Sequence, residues 1–513
     1  MKEVKPYWSI ILVLAIVKFI LPFVLQSPVY ELHRDEYLYY AQGQHFALGY
    51  LENPPVLSWL GMISSWLGGS SFWIKFWPCL FGALTVVITC LLAAELGGKA
   101  FAQFIAGLSI LGGAYMRMFF LFQPNAPEIF FWTLSIYFLV RFLKNNERKF
   151  LFAFVISLSL SWWSKYSVAF LAAAILIALL LSVHRLIFLR KQTYVALLLG
   201  LILILPNLVW QYYHNWPLVH HMQELQETQL RFLSPIDFIK DQLLYLLPVA
   251  FVWIRGLVWS FKRREWRFLG WTYLFVIILL LLGRGKSYYS MGIYPSLLAA
   301  GAVSWENFSA RKTWLRYTVV ALIVFLTLLF IPMLLPMQAP QKLAAFYKKY
   351  NLAKTGLLKW EDQKNHPLPQ DFADMIGWKE IARQTAAVYQ RLPENEKART
   401  VIKGDNYGLC GALNYYGKKF GLPEAYTYNG SFLLWIPDTL NISNVITVGE
   451  DFPDTSRAIV KQFQHISIEG ELKDSLARQN GTQIILWRGC NPDSLKRFLK
   501  EEIGERKALF TRK

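Results

Sequence analysis

The chain has 513 residues, 55% of them hydrophobic and 17% charged, with 20 Trp, 26 Tyr, 37 Phe and a formal net charge of +19. A soluble chain carries about 25% charged residues, so an ordinary soluble globular fold is excluded. Nucleic acid is not implied by the basic excess, because no basic stripe interleaved with aromatics lies on a soluble segment.

Apolar blocks of about 20 residues, the length that crosses a bilayer core, recur from Tyr7 to Met337 and stop near Gln338. They predict 11 spans, at 7–27, 72–95, 101–120, 126–143, 150–164, 168–184, 193–212, 241–260, 268–283, 288–304 and 317–337. The first contains Lys18 and Pro22 and lacks a small-residue cleavage site, so it reads as a span and not a removable leader. Basic residues favour the loops on the N-terminal side about two to one, with Lys262-Arg263-Arg264 and Arg311-Lys312 the strongest clusters. The N-terminus is therefore expected inside. An odd span count then puts residues 341–513 outside.

The outer loops carry the chemistry. After the first span comes Leu32-His33-Arg34-Asp35-Glu36-Tyr37, and only 14 acidic residues lie in positions 1–337. Adjacent carboxylates at a bilayer edge must be solvated, paired or used. They either cap a helix N-terminus, where negative charge is favoured, or form a working site. Two interfacial helices are expected here, the second capped by Asn53, with Pro54 and Pro55 in its first turn and a stop at Gly68-Gly69.

The next outer loop, Gln123-Pro124-Asn125-Ala126-Pro127-Glu128, reads as a rigid turn that Asn125 caps. Lys165, between Trp162-Trp163 and Tyr166, either snorkels to the interface or neutralises a phosphate. In loop 213–240, His220, Glu224 and Glu227 share a helical face, a spacing that could support a metal but in pairs of this kind more often marks solvated side chains. Arg284-Gly285-Lys286-Ser287-Tyr288-Tyr289 offers two cations and two phenols, either an anion cradle or an aromatic belt with anchoring Lys.

Beyond residue 340, β-rich runs at 400–403, 444–448 and 482–487 alternate with helical patterns near 377–391, 407–419 and 492–502. That alternation predicts a small α/β domain. It contains no G-x-G-x-x-G and no nucleophile elbow. Cys79 and Cys90 sit in the second span as packing residues; Cys410 and Cys490 either pair in an oxidising compartment or stay free.

Carboxylates that can take a proton, cations that can hold a leaving phosphate and rings that suit sugars together fit sugar transfer from a lipid-linked phosphate. The stretch from Asp35 through Tyr39 and Gly49-Tyr50 to Asn53-Pro54-Pro55 resembles the first outer loop of polyprenyl-phosphate-dependent GT-C glycosyltransferases. The group is that of the bacterial protein mannosyltransferases and lipid A aminoarabinose transferases. Pro124-Asn125-Ala126-Pro127, Ser164-Lys165-Tyr166 and Gly285-Lys286-Ser287-Tyr288-Tyr289 follow the family patterns in order, and Asn406-Tyr407-Gly408 with Gly411-Ala412-Leu413-Asn414-Tyr415-Tyr416-Gly417 resembles its outer domain.

The resemblance implies a polytopic GT-C membrane catalytic domain over 1–340 and an extracytoplasmic α/β domain over 341–513. It implies inverting transfer of a sugar from a polyprenyl-phosphate donor to a hydroxyl of a lipid, glycan or protein, in a bacterial inner membrane. Asp35 would act as base with Glu36 in support; Lys165, Arg284, Lys286 and Tyr288 would hold the donor phosphate; Tyr39, Asn53, Asn125 and Tyr289 would contact substrate. Many relatives carry Asp where this chain has Asn125, which weakens a two-carboxylate metal site and leaves Asp35 as the principal base; a divalent metal stays open, with no other cofactor expected. A transporter of lipid-linked sugars and a glycan-binding membrane protein are the alternatives. The first calls for internal repeats and several intramembrane charges, whereas Lys18 is the one clear mid-span charge.

Overall fold

The computed structural model describes residues 4–228, 230, 234–438, 440, 442–450 and 459–512. Helices fall on the apolar runs. The first half contains α1 (Trp8–Leu25), α2 (Arg34–Gln42), α3 (Val56–Trp66), α4 (Ser71–Glu95), α5 (Ala100–Ile110), α6 (Tyr115–Met118), α7 (Asn125–Asn145), α8 (Arg148–Ser164) and α9 (Val168–Leu180). It continues with α10 (Lys191–Tyr213), α11 (Pro217–Thr228), α12 (Pro235–Leu244), α13 (Ala250–Lys262), α14 (Arg267–Leu282), α15 (Tyr294–Phe308) and α16 (Thr313–Leu334).

On α1 the buried residues Ile11, Leu14, Ala15, Lys18 and Pro22 form one stripe, while Leu12, Val13, Ile16, Ile20 and Val24 are exposed. Helices α10 and α16 expose still more, with Leu197, Leu198, Leu201, Phe325 and Leu328 facing outward. Apolar belts of this extent are stable only against lipid, so this is a multi-pass membrane protein. Helices α4 and α7 are the more enclosed.

The span count is a correction. Each predicted run contains helix, but among the described residues 5 helices are long and apolar enough to cross by themselves, or up to 6 if one bent pair counts as a span. Two predicted spans are broken. The run 101–120 divides at Gly112-Gly113, where Gly113 has φ +64° and a Cβ would lie 2.5 Å from the Tyr245 carbonyl. The run 241–260 bends by 61° between Pro235–Leu244 and Leu247–Lys262. The two breaks meet: the Ala114 N–H donates to the Tyr245 carbonyl at 2.7 Å. Interrupted backbone inside a membrane must find such partners, and hydropathy does not record them.

Contacts between loops sort into two faces. On one, Glu95 pairs with Arg141 (3.1 Å) and Lys144 (2.8 Å), and Glu306 accepts from the amides of Lys99 (2.7 Å) and Ala102 (3.0 Å). On the other lie α2, α3, the 119–124 turn, Lys165, the 283–290 turn and the C-terminal sheet domain.

That domain contains α17 (Pro340–Lys349), α18 (Gln370–Ala373), α19 (Trp378–Gln390), α20 (Glu394–Lys397), β1 (Thr400–Gly404), α21 (Tyr407–Gly417), β2 (Ala425–Tyr426), α22 (Phe432–Trp435), β3 (Asn444–Gly449), β4 (His465–Glu471), β5 (Gln483–Arg488) and α23 (Pro492–Ala508). The strand order is β2-β1-β3-β5-β4; β1 runs parallel to β2 and β3, and β5 antiparallel to β3 and β4. The two-residue β2 and the poorly buried β4 carry too little apolar pattern to be read from sequence.

Strand alternation sends Ile402, Ile446, Val448, Ile484 and Leu486 to one face, in a single apolar cluster with Trp378, Leu409, Leu413 and, from α2, Tyr37 and Leu38. The core of the sheet domain therefore continues into α2. Cys410 lies in this cluster and Cys490 in another on the opposite face; both are free thiols, so they do not pair. Cys79 and Cys90 are buried and free, as packing residues should be.

Candidate active site

Helix α2 begins with a capping box. The His33 ring accepts from the Asp35 amide (3.1 Å), and Glu36 Oε2 accepts from the His33 amide (2.7 Å). The other Glu36 oxygen accepts from the Phe122 amide at 2.6 Å, and Lys75 lies 2.7 Å from Oε2. Glu36 is thus fully buried and saturated, and it joins α2, α4 and the turn before α7. It does not face the same space as its neighbour.

Asp35 points the other way. Its Oδ1 accepts from the Tyr407 hydroxyl at 2.8 Å and its Oδ2 from the Gln123 side-chain amide at 3.0 Å. Arg34 (3.7 Å) and His33 (3.9 Å) stand further off. Burial works to raise the Asp35 carboxyl, but His33, Arg34 and the Tyr407 hydrogen bond prevail and hold it below the usual carboxylate range.

From Gln123 the polar contacts continue. Gln123 Oε1 accepts from Asn125 at 3.5 Å, Asn125 Oδ1 accepts from Lys165 Nζ at 2.8 Å, and Lys165 donates to Glu128 at 2.9 Å. Ser167 closes the far end on Glu128. Lys165 lies 4.0 Å from the Tyr289 ring centroid and 5.2 Å from that of Tyr288. It is turned into the protein and does not snorkel. Asn125 is the first residue of α7 and not its cap, a correction: its oxygen is committed to Lys165.

Lys286 follows the last turn of α14, with Arg284 exposed in left-handed backbone (φ +49°) beside it. Burial lowers the Lys286 ammonium below the usual lysine range, against the opposing pull of Glu361, Asp35 and Asp371. Burial, and after it the Asp35 and Glu52 carboxylates, push the hydroxyl of Tyr39, on α2 beyond Asp35, well above the usual phenol range. The polar chain and the two ring contacts bring Asp35, Asn125, Lys165, Tyr288 and Tyr289 together. Asn53 does not cap α3, a second correction: the N-cap position is Pro55, with no side-chain cap, and Asn53 is buried against Gln42 (2.9 Å) and the Pro54 carbonyl (2.7 Å). Glu52 instead accepts from the Ser431 amide (2.6 Å) and hydroxyl (2.5 Å), tying this loop to the sheet domain.

Among the described residues, the three-ligand group whose spacing suits a metal is His33, Asp371 and Asp374. His220, Glu224 and Glu227 form no such group; His221 lies 4.0 Å from Glu224 on α11. The chemistry of the first group does not suit a cation. Because His33 Nδ1 accepts from the Asp35 amide, its proton sits on Nε2, which lies 3.7 Å from both Asp371 and Asp374 and so has no lone pair to offer a cation. Arg117 pairs with Asp371, and Arg478 with Asp374 at 3.0 Å. Between Asn125 and Glu128 the cation is already the Lys165 ammonium.

Gln123, Glu128 and Tyr407 lie within the sequence motifs, but nothing in their local spacing marks a role for them. Asp371 and Asp374 carry no local signal, since only the docking of α18 on α2 brings them to His33.

The fold and this arrangement define a class: a polytopic helical membrane protein with a C-terminal sheet domain. Its architecture is similar to ArnT from Cupriavidus metallidurans bound to undecaprenyl phosphate, with TM-score 0.62 at 13% identity over 94% of this chain and 97% of that one. It is also similar to the archaeal oligosaccharyltransferase AglB from Archaeoglobus fulgidus, with TM-score 0.50 at 13% identity over 86% and 69%. Residues 52–210 match the family model described as dolichyl-phosphate-mannose-protein mannosyltransferase. The lipid A galacturonosyltransferase RgtD of Rhizobium johnstonii is 26% identical over 242 residues, 45% of this chain and 49% of that protein. The match thus spans about half of that relative's length.

Proposed function

We propose that this chain is an integral-membrane glycosyltransferase that moves a sugar from a polyprenyl-phosphate donor to an acceptor hydroxyl, with inversion. The observation that carries this reading is the continuous polar chain from Asp35 through Gln123 and Asn125 to Lys165, which puts a carboxylate and a cation in register on one membrane face. Asp35 is ionised at neutral pH and accepts the proton of the acceptor hydroxyl. The acceptor oxygen then attacks the anomeric carbon while the bond from that carbon to the phosphate oxygen breaks. The electron pair leaves with polyprenyl phosphate.

The developing phosphate charge falls to Lys165, Lys286, Arg284 and the Tyr288 hydroxyl. Lys165 uses two of its three donors on Asn125 and Glu128, which leaves the third for a phosphate oxygen. Tyr39 and Tyr289 offer rings to the sugar or the lipid. Glu36, Asn53 and Asn125 hold the loops that present these groups. In this reading residues 1–340 are the catalytic domain, and 341–513 cap the site on the extracytoplasmic side of a bacterial inner membrane. The activities of the relatives, on lipid A and on protein, support a lipid, a glycan or a protein as the acceptor.

The test is release of polyprenyl phosphate by purified full-length protein. It would be given polyprenyl-phosphate-linked galacturonate, mannose or aminoarabinose with an envelope lipid extract. Asp35→Asn should abolish release. Retained turnover in Asp35→Asn removes the proposed base, and no release with any donor favours a transporter or a binding protein.

A further inference from the structure

We infer that Tyr407 is a positioning residue for Asp35, supplied by the sheet domain and seated there by the glycines of α21. This rests on the reading of Asp35 as the base, but its test is separable from that reading.

Three observations carry it. First, the Tyr407 hydroxyl is a direct donor to Asp35 Oδ1 at 2.8 Å, although 372 positions separate the two residues. Second, the helix that carries Tyr407 is built to approach α2 closely. A Cβ on Gly411 would lie 2.7 Å from Tyr37 Cβ and 2.9 Å from its carbonyl carbon, and a Cβ on Gly408 would lie 2.3 Å from Arg34 Cγ. These glycines, three apart, share one helical face, and any side chain there would push α21 off α2. Third, the start of α21 is fixed independently. Asn406 accepts from the Leu409 amide (3.1 Å), Asn429 accepts from the Tyr407 amide (3.2 Å), and the Arg34 guanidinium lies 5.3 Å from the Tyr407 ring centroid.

The consequence is orientational and electrostatic. Gln123 and Tyr407 hold the two Asp35 oxygens from opposite sides, so the carboxylate plane is set by one residue from each half of the chain. Each oxygen keeps a lone pair for an acceptor hydroxyl. Asp35 is faced by His33 and Arg34 from its own helix end, by Asp371 and Asp374 from α18 and the residue after it, by Tyr407 from α21, by Tyr39 along α2 and by Lys286. Of these, Tyr407 donates a hydrogen bond to the ionised carboxylate, an interaction that favours the charged form. Removing its hydroxyl should let the carboxyl rise.

The test uses the full-length protein with Tyr407→Phe, which keeps the ring against Arg34 and loses the donor. Dicyclohexylcarbodiimide reacts with protonated carboxyls, so labelling of Asp35 against pH, read by peptide mass with Asp35→Asn as blank, reports its protonation without any substrate. The midpoint should rise by about one pH unit. Turnover with the polyprenyl-phosphate donor should show its acid limb raised by the same amount. At neutral pH kcat should fall about tenfold, with the KM for donor unchanged. Gly408→Ala, whose Cβ would displace the Arg34 stem and shift α21 on α2, should also raise the midpoint. A labelling midpoint that stays in place in both variants overturns the inference, because a purely structural Tyr407 would change stability alone. Turnover retained in Asp35→Asn would instead overturn the base assignment, while the labelling still decides whether Tyr407 controls Asp35.

Discussion

Glu95 and Asp35 lie on opposite faces of the membrane half, and different kinds of partner hold them. Glu95 takes Arg141 and Lys144 directly, at 3.1 and 2.8 Å. Glu306, on the same face, is filled by two backbone amides. Asp35 is held by a tyrosine hydroxyl and a glutamine amide, with its cations at 3.7 Å and beyond. Directly paired carboxylates fasten helices together. A carboxylate held by neutral donors keeps its charge and its geometry while its lone pairs remain accessible, as proton transfer requires. The lesson repeats within one dipeptide: Glu36 is fastened like Glu95, and Asp35 beside it is not.

The comparison can be broken most sharply at Asp35. Asp35→Asn keeps the shape and removes the base, so release of polyprenyl phosphate should fall by about 10²–10⁴-fold with an unchanged thermal transition. Glu36→Ala should behave in the opposite way. It leaves Lys75 buried without its partner, at a cost of about 3–5 kcal/mol, to be read by thermal unfolding in detergent. A folded, stable Glu36→Ala enzyme with lost turnover would instead move Glu36 into the chemistry. Lys286→Met should raise the KM for the donor about tenfold, more than it lowers kcat, as loss of a hydrogen bond to a charged group predicts.

Acid should separate the regions as well. The Asp35 carboxyl is depressed, so its ionised form persists down to and below the ordinary Asp value of about 4, and turnover should fall only below that pH. Asp371 is depressed too, chiefly by Arg117 and His33 acting against burial. Its stabilising contribution is therefore present above the unfolded-state value and lost as pH falls through the folded one. Asp371→Asn should flatten that loss in a pH series of thermal unfolding. The smallest effect belongs to the fastened face: Glu95→Gln should cost under about 1 kcal/mol and leave kcat unchanged, as measured by unfolding and turnover together.

Much of this was legible in one dimension. Apolar length and loop charge are local properties, and they were enough to read a multi-pass chain with a sheet domain after it. Asp35, Lys165 and Lys286 stood out because charge at a bilayer edge is costly and therefore rare. The span count failed at Gly113 and Tyr245 because hydropathy measures composition, whereas a break is stable only when a distant strand of chain offers the missing hydrogen bond. Asn53 and Asn125 were misread as caps because capping was weighed against neighbours in sequence, and both side chains found better partners in space.

What the sequence by itself determined was which runs enter the bilayer and which charged groups lie between them, since the bilayer sorts apolar from charged residues by transfer free energy. Which of two adjacent carboxylates works was decided by the tertiary structure. Hydrogen bonds act over about 3 Å, and only the folded chain brings Lys75 to Glu36, and Gln123 and Tyr407 to Asp35.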